Sequence, residues 1–122
     1  MVFQCTTAFV TLASINIEEL VLFYTQLLTQ PKLYIPNAYA EFQLPGLKLA
    51  IFKPKETNQS EFENTFNSGM SLCLEVTDLE NAIAHITALG YPPPGEILTA
   101  SHGREIYAYD PDGNRLIIHQ SI

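Results

Sequence analysis

The sequence predicts an α+β fold built from two copies of one βαβββ unit, and three observations predict it. The chain repeats itself, each copy opens with a short strand running straight into a helix, and each closes on a matching apolar strand. Asn16-Ile17-Glu18 lies over Asp78-Leu79-Glu80, and the same offset of 62 places Thr25 on Thr87, Leu27 on Leu89 and Pro31 on Pro93. Gly46 to Ile51 lies over Gly113 to Ile118 at an offset of 67, so the second copy is about five residues longer in its middle. An internal repeat fixes the fold class more firmly than local propensity, because each copy makes the same supersecondary unit.

The elements follow in order. Ala8 to Ala13 and Ser71 to Val76 are short β-prone runs in which Val10, Leu12, Leu72, Leu74 and Val76 can share a face. Asn16, with Glu19 three residues on, reads as a capping box; Ile17, Leu20, Val21, Tyr24, Leu27 and Leu28 then form one apolar stripe that Pro31 stops. In the second copy Asp78 caps the helix, Leu79, Ile83 and Ile86 supply its stripe, and Gly90 ends it. Three strands per copy follow, near Leu33, over 39–44 and 48–52, then over 96–100, 105–109 and 115–119. Asp110-Pro111-Asp112-Gly113 is a turn. The polar stretch 54–69 lacks periodicity and reads as a surface linker, with Phe62 and Phe66 tucked onto the core. The whole is read as one domain over 1–122, with module one at about 6–53 and module two at 70–122.

Composition narrows the function. At 122 residues, with seven Phe and six Tyr, the chain can fill one core. No stretch approaches the roughly 20 apolar residues of a membrane span, so a cytoplasmic protein with no membrane partner is expected. A net charge of −7 with scattered basic residues argues against nucleic acid and would attract a cationic ligand, though it also serves plain solubility. Cys5 and Cys73 have no metal-binding spacing, and Cys73 reads as a small buried hydrophobe. A helix on one face of a four-stranded sheet leaves the other face open, and two such faces side by side would form a ligand cup.

The strand-to-capped-helix start with Phe23-Tyr24, the repeat, and Tyr109-Asp110-Pro111-Asp112-Gly113-Asn114 before the last strand resemble the vicinal-oxygen-chelate superfamily. That group contains glyoxalase I, extradiol dioxygenases, fosfomycin-resistance enzymes and bleomycin-resistance proteins. The resemblance implies paired βαβββ modules, a homodimer and, in the enzymes, a divalent metal held by His, Glu or Gln on the first and last strand of each module. Carried over residue by residue, those four positions fall on Phe9, Ala50, Ser71 and Ile117. None of these binds a metal, and one-residue shifts offer only Met70, so no metal and no cofactor are expected there.

If those four positions face the cup, strand alternation adds Thr11, Ala13, Phe52, Cys73, Glu75, Arg115 and His119, with Phe42, Tyr107 and Tyr109 from neighbouring strands. Phe9, Thr11, Phe42, Phe52, Ser71, Cys73, Glu75, Tyr107, Tyr109, Ile117 and His119 are therefore the candidate ligand-binding residues. The same aromatic and apolar set would equally suit a plain core. Glu75, His119 and Tyr107 are the candidate catalytic groups, although Glu75 and His119 could instead stand in water or pair with Arg115. His102 and His85 read as solvent-facing, and Glu105 as reaching the rim. The function expected is metal-independent binding of a small molecule, cationic or aromatic. The alternatives are a lactoylglutathione-lyase-like isomerase or dioxygenase-like enzyme with an atypical or metal-free site, and a structural subunit with a filled cup.

Overall fold

The computed structural model describes residues 2–63 and 68–122. The chain divides into two compact units, Met1–Gln59 and Ser60–Ile122. Unit one runs β1 (Val10–Ala13), α1 (Ile17–Leu27), β2 (Leu33–Ile35), β3 (Tyr39–Leu44) and β4 (Leu47–Phe52). Unit two runs β5 (Leu72–Glu75), α2 (Leu79–Ala88), β6 (Leu98–Ala100), β7 (Gly103–Tyr109) and β8 (Arg115–Ser121). The sheet orders match, β1-β4-β3-β2 and β5-β8-β7-β6. In each, the first strand lies parallel to the last and the remaining pairs are antiparallel. A parallel pair needs a crossover connection, and the helix supplies part of it.

The helix of each unit covers one face of its own sheet. In unit one Ile17, Leu20, Val21, Phe23 and Tyr24 bury against a face carrying Ala40, Phe42, Leu44, Leu49 and Ile51. Each Val, Leu, Ile or Phe side chain among them contributes about 1.5–3 kcal/mol by leaving water. In unit two Leu79 and Ile86 are the buried helix residues, over Ile106, Ala108, Leu116 and Ile118. Ile83 is half-buried and Gly90 takes a positive φ just past the helix, as expected of a stop.

Two start signals came out differently. Asp78 accepts a hydrogen bond from the Asn81 amide at 3.0 Å and caps α2. Asn16 makes no side-chain cap, because its φ of −95° and ψ of 57° lie away from the extended conformation that aims a capping oxygen back at the helix. Its carbonyl nevertheless accepts from Leu20, and Glu18 and Glu19 place negative charge in the first turn. Glu18 also ties β2 to the helix, accepting from the Tyr34 hydroxyl and, at 2.7 Å, from the Asn37 amide. Between the last strand of unit one and the first of unit two, the expected irregular linker contains a 3-10 helix, Glu56–Phe62, with no buried residue. Phe62 stays exposed there instead of tucking onto the core, and Phe66 lies outside the described residues.

Candidate functional site

Strand registers define the face of each sheet that its helix leaves uncovered. In unit two Ile117 stands between Cys73 and Tyr107, His119 between Glu75 and Glu105, and Arg115 beside Tyr109. In unit one Ala50 stands between Thr11 and Glu41, Phe52 between Ala13 and Tyr39, and Lys48 beside Gln43. Alternation therefore places Thr11, Phe52, Cys73, Glu75, Tyr107, Tyr109, Ile117 and His119 on open faces, where all are exposed or half-buried. Cys73 is exposed and not a buried hydrophobe. Partial desolvation, then Glu105 and Glu75, push its thiol pKa up, which makes it a poor nucleophile.

Phe42 is the exception. It pairs with Leu49 and not with Ala50, is fully buried, and lies 6.3 Å from Tyr24 ring to ring on the helix-covered face. The β3–β4 hairpin closes through two residues, Pro45 and Gly46, whereas β7 and β8 are joined through Asp110 to Asn114. Parity counted from the second hairpin cannot be carried to the first, and Glu41 takes the place assigned to Phe42.

At the four positions to which the resemblance assigns metal ligands stand Phe9, Ala50, Ser71 and Ile117, and two of them are engaged by cations. Lys48 Nζ sits 4.2 Å from the centroid of the Phe9 ring, and reaches Glu41 at 3.9 Å. Arg115, the repeat equivalent of Lys48, donates from Nε to Ser71 Oγ at 2.6 Å, and from Nη2 to the Ser68 carbonyl at 2.7 Å and the Met70 carbonyl at 3.3 Å. Arg115 thus turns to Ser71 and not to the carboxylate of Glu75. The residues present do not fit the metal that the fold family implies: they offer no oxygen-rich or imidazole set, and they place positive charge beside both first-strand positions.

The other end of the open face in unit two is polar. His119 Nδ1 lies 2.7 Å from Glu75 Oε1, and the second Glu75 oxygen accepts from the Ser121 amide at 2.7 Å and its hydroxyl at 2.8 Å. Hydrogen bonds from His119 first, then from Ser121, hold the Glu75 carboxyl below its usual pKa. His102 is solvent-exposed as expected, yet its Nδ1 lies 3.0 Å from His119 Nε2, with the two rings 25° apart in plane. A two-residue hairpin, Ser101-His102, brings it there, and Gly103 makes the approach possible. Gly103 has a φ of +147°, and a Cβ at that position would lie 2.2 Å from the Gln120 carbonyl oxygen. Donor atoms of His102, Glu105 and His119 all fall within 4.8 Å of one another. Sequence spacing alone did not join His102 to His119; the signal was a histidine followed by glycine between two β-prone runs. His85 is exposed on α2.

Among the described residues no helix is long and apolar enough to cross a membrane. No family model matches the chain. Solved structures do. A glyoxalase-related enzyme from Fulvimarina pelagi matches with a TM-score of 0.76 at 20% identity, over 96% of this chain and 89% of the other. Lactoylglutathione lyase from Agrobacterium tumefaciens matches at 0.69 and 16%, over 96% and 95%. A bleomycin-binding protein solved in complex with bleomycin matches at 0.65 and 20%, over 97% and 100%. With the paired βαβββ units and matched sheet orders, these likenesses show that the chain has the glyoxalase/bleomycin-resistance fold.

Proposed function

We propose that this protein binds a small molecule on the open faces of its sheets without using the metal of its fold family. The observation that carries this reading is the treatment of the two first-strand ligand positions: Phe9 lies under Lys48, and Ser71 is hydrogen-bonded by Arg115. A protein cation thus engages each of these two positions, and like charge beside it disfavours a metal cation there. What remains on the faces suits an organic ligand. In unit two Tyr107, Tyr109 and Ile117 offer aromatic and apolar area with Glu75 as a polar group at its edge, and in unit one Phe52 and Thr11 stand on that unit's own open face. The net charge of −7 favours an aromatic ligand that is also cationic. The bleomycin-binding protein of the same fold, solved with its ligand, supports binding as a use for this architecture.

Thermal-shift screening of chelator-treated protein against cationic glycopeptides and aromatic cations tests the reading. A true ligand at 100-fold its Kd raises stability by about 2.7 kcal/mol. Absence of stabilisation across such a panel contradicts it.

A second reading draws on one observation, the Glu75–His119 hydrogen bond of 2.7 Å. A carboxylate that fixes an imidazole tautomer leaves the other ring nitrogen able to take a proton, as a lyase or isomerase requires. On that reading Glu75→Gln abolishes turnover of any substrate found, and full activity in Glu75→Gln removes the pair from the chemistry.

A further inference from the structure

We propose that unit two carries a transition-metal site of its own, in which His102, Glu105 and His119 hold one divalent ion of the zinc class. The site is distinct from the four positions on Phe9, Ala50, Ser71 and Ile117, and it lies wholly within β7, β8 and the turn before β7. It goes beyond the small-molecule reading and does not rest on it. That reading concerns the stretch of face around Tyr107, Tyr109 and Ile117, whereas the metal lies toward the Ser121 end of β8.

Geometry makes the first case. Two nitrogens each about 2.0–2.1 Å from one tetrahedral zinc ion stand roughly 3.3 Å apart. His102 Nδ1 and His119 Nε2 are already 3.0 Å apart, and the Glu105 carboxylate lies within 4.8 Å of both. Two imidazoles and one carboxylate form a donor set that suits zinc and its first-row neighbours and leaves coordination positions open.

The surroundings make the second case. A metal-bound histidine ordinarily donates its other ring N–H to a carboxylate or carbonyl, which fixes the tautomer and the ring. His119 has that partner in Glu75, which Ser121 anchors through its amide and hydroxyl. With Nδ1–H given to Glu75, Nε2 would carry the lone pair, and it faces His102 Nδ1. Ion binding would replace the contact between the two rings, the proton of His102 moving from Nδ1 to Nε2 so that both facing nitrogens can ligate. Glu75 and Glu105 bring negative charge to the cluster, while Arg104 is turned to Glu80 at 2.6 Å. Gly103 lets the turn approach β8 closely enough to deliver His102, at a place where a Cβ would strike the Gln120 carbonyl.

The test uses the full chain, stripped with chelator, dialysed and titrated with ZnCl2 by calorimetry and with CoCl2 by visible absorption. The expected result is one ion per chain, with binding lost in His102→Ala and His119→Gln, weakened about 10- to 100-fold in Glu75→Gln, and unchanged in His85→Ala. His102 lies in an exposed turn, so its variant keeps the inference falsifiable if the His119 variant misfolds; circular dichroism of each variant separates the two cases. No binding near one ion per chain overturns the inference. So does equal affinity in His102→Ala, which would place the ion elsewhere. Because no organic ligand is present, neither outcome bears on small-molecule binding.

Discussion

Where Ala13, Phe52 and Tyr39 stand side by side in unit one, Glu75, His119 and Glu105 stand in the same register in unit two. On the covered faces the two units agree in character: Leu49 answers to Leu116, Ile51 to Ile118, and the pair Ala40 and Phe42 to Ile106 and Ala108. The last exchange moves bulk from one strand position to the next without emptying the core. A buried face must stay apolar and filled, so the repeat persists there. An open face answers only to water and to whatever it binds, and there the copies have diverged. The cations Lys48 and Arg115 are an instructive intermediate, equivalent in position and charge but engaging an aromatic ring in one copy and a hydroxyl in the other.

The sharpest way to break this comparison is to exchange the faces. Phe42 is assigned to the core and Tyr107 to the open face, so Phe42→Ala should cost about 3–5 kcal/mol in urea unfolding, whereas Tyr107→Ala should cost under about 1 kcal/mol. Equal losses would place the two aromatics on like faces. Next come the turns. Gly103→Ala combines a φ unsuited to side chains, worth about 1–3 kcal/mol, with a collision against the Gln120 carbonyl. Gly46 has a positive φ of +77° but nothing within 4 Å of a Cβ, so Gly46→Ala should cost only about 1–2 kcal/mol. Helix starts give a smaller contrast: Asp78→Ala should lose about 1 kcal/mol, the usual worth of a cap, and Asn16→Ala only a few tenths.

What was legible in the sequence follows the same division. The repeat fixed the element order and the sheet pattern, since a copy confirms its partner wherever the buried face is shared. In unit two the five residues Asp110 to Asn114 pinned the register, and Tyr107, Tyr109, Ile117 and His119 fell on one face as their spacing implied. Phe42 was misplaced because the register of β3 depends on its own two-residue turn, and phenylalanine is at home on either face. The missing cap on Asn16 is a matter of backbone angles that residue type does not determine. His102 was not joined to His119 because contact between residues seventeen apart depends on a hairpin and on one glycine that allows close approach. Lys48 over Phe9 lay in the repeat alignment, as the equivalent of Arg115 against Ser71, but a cation–π contact has no sequence signature of its own.

The smallest effects concern pH, and they too separate the units. In unit two the Arg104 guanidinium holds the Glu80 carboxyl down at about 2. A lowered carboxyl pKa gives stability that is complete above the unfolded value near 4.3 and is lost as pH falls toward 2. The urea midpoint difference between wild type and Glu80→Gln should therefore shrink between pH 5 and pH 2.5, and added salt should reduce it because the pair is exposed. In unit one the hydrogen bond to Glu41 pushes the Tyr39 phenol up to about 12. A raised phenol pKa gives stability that is complete below about pH 10 and is lost as pH rises toward 12. Wild type and Tyr39→Phe should converge over that alkaline window, while Glu80→Gln should leave it unchanged.

The claim on which the functional account turns is that ligand recognition does not use the metal of the fold family. The most direct measurement is the Kd of a screening hit, determined by calorimetry with and without excess chelator, in wild type and in His102→Ala. One Kd is expected in all four titrations. A Kd that chelator weakens contradicts metal-free recognition, in both proteins if the metal is held away from His102 and in wild type alone if His102 holds it.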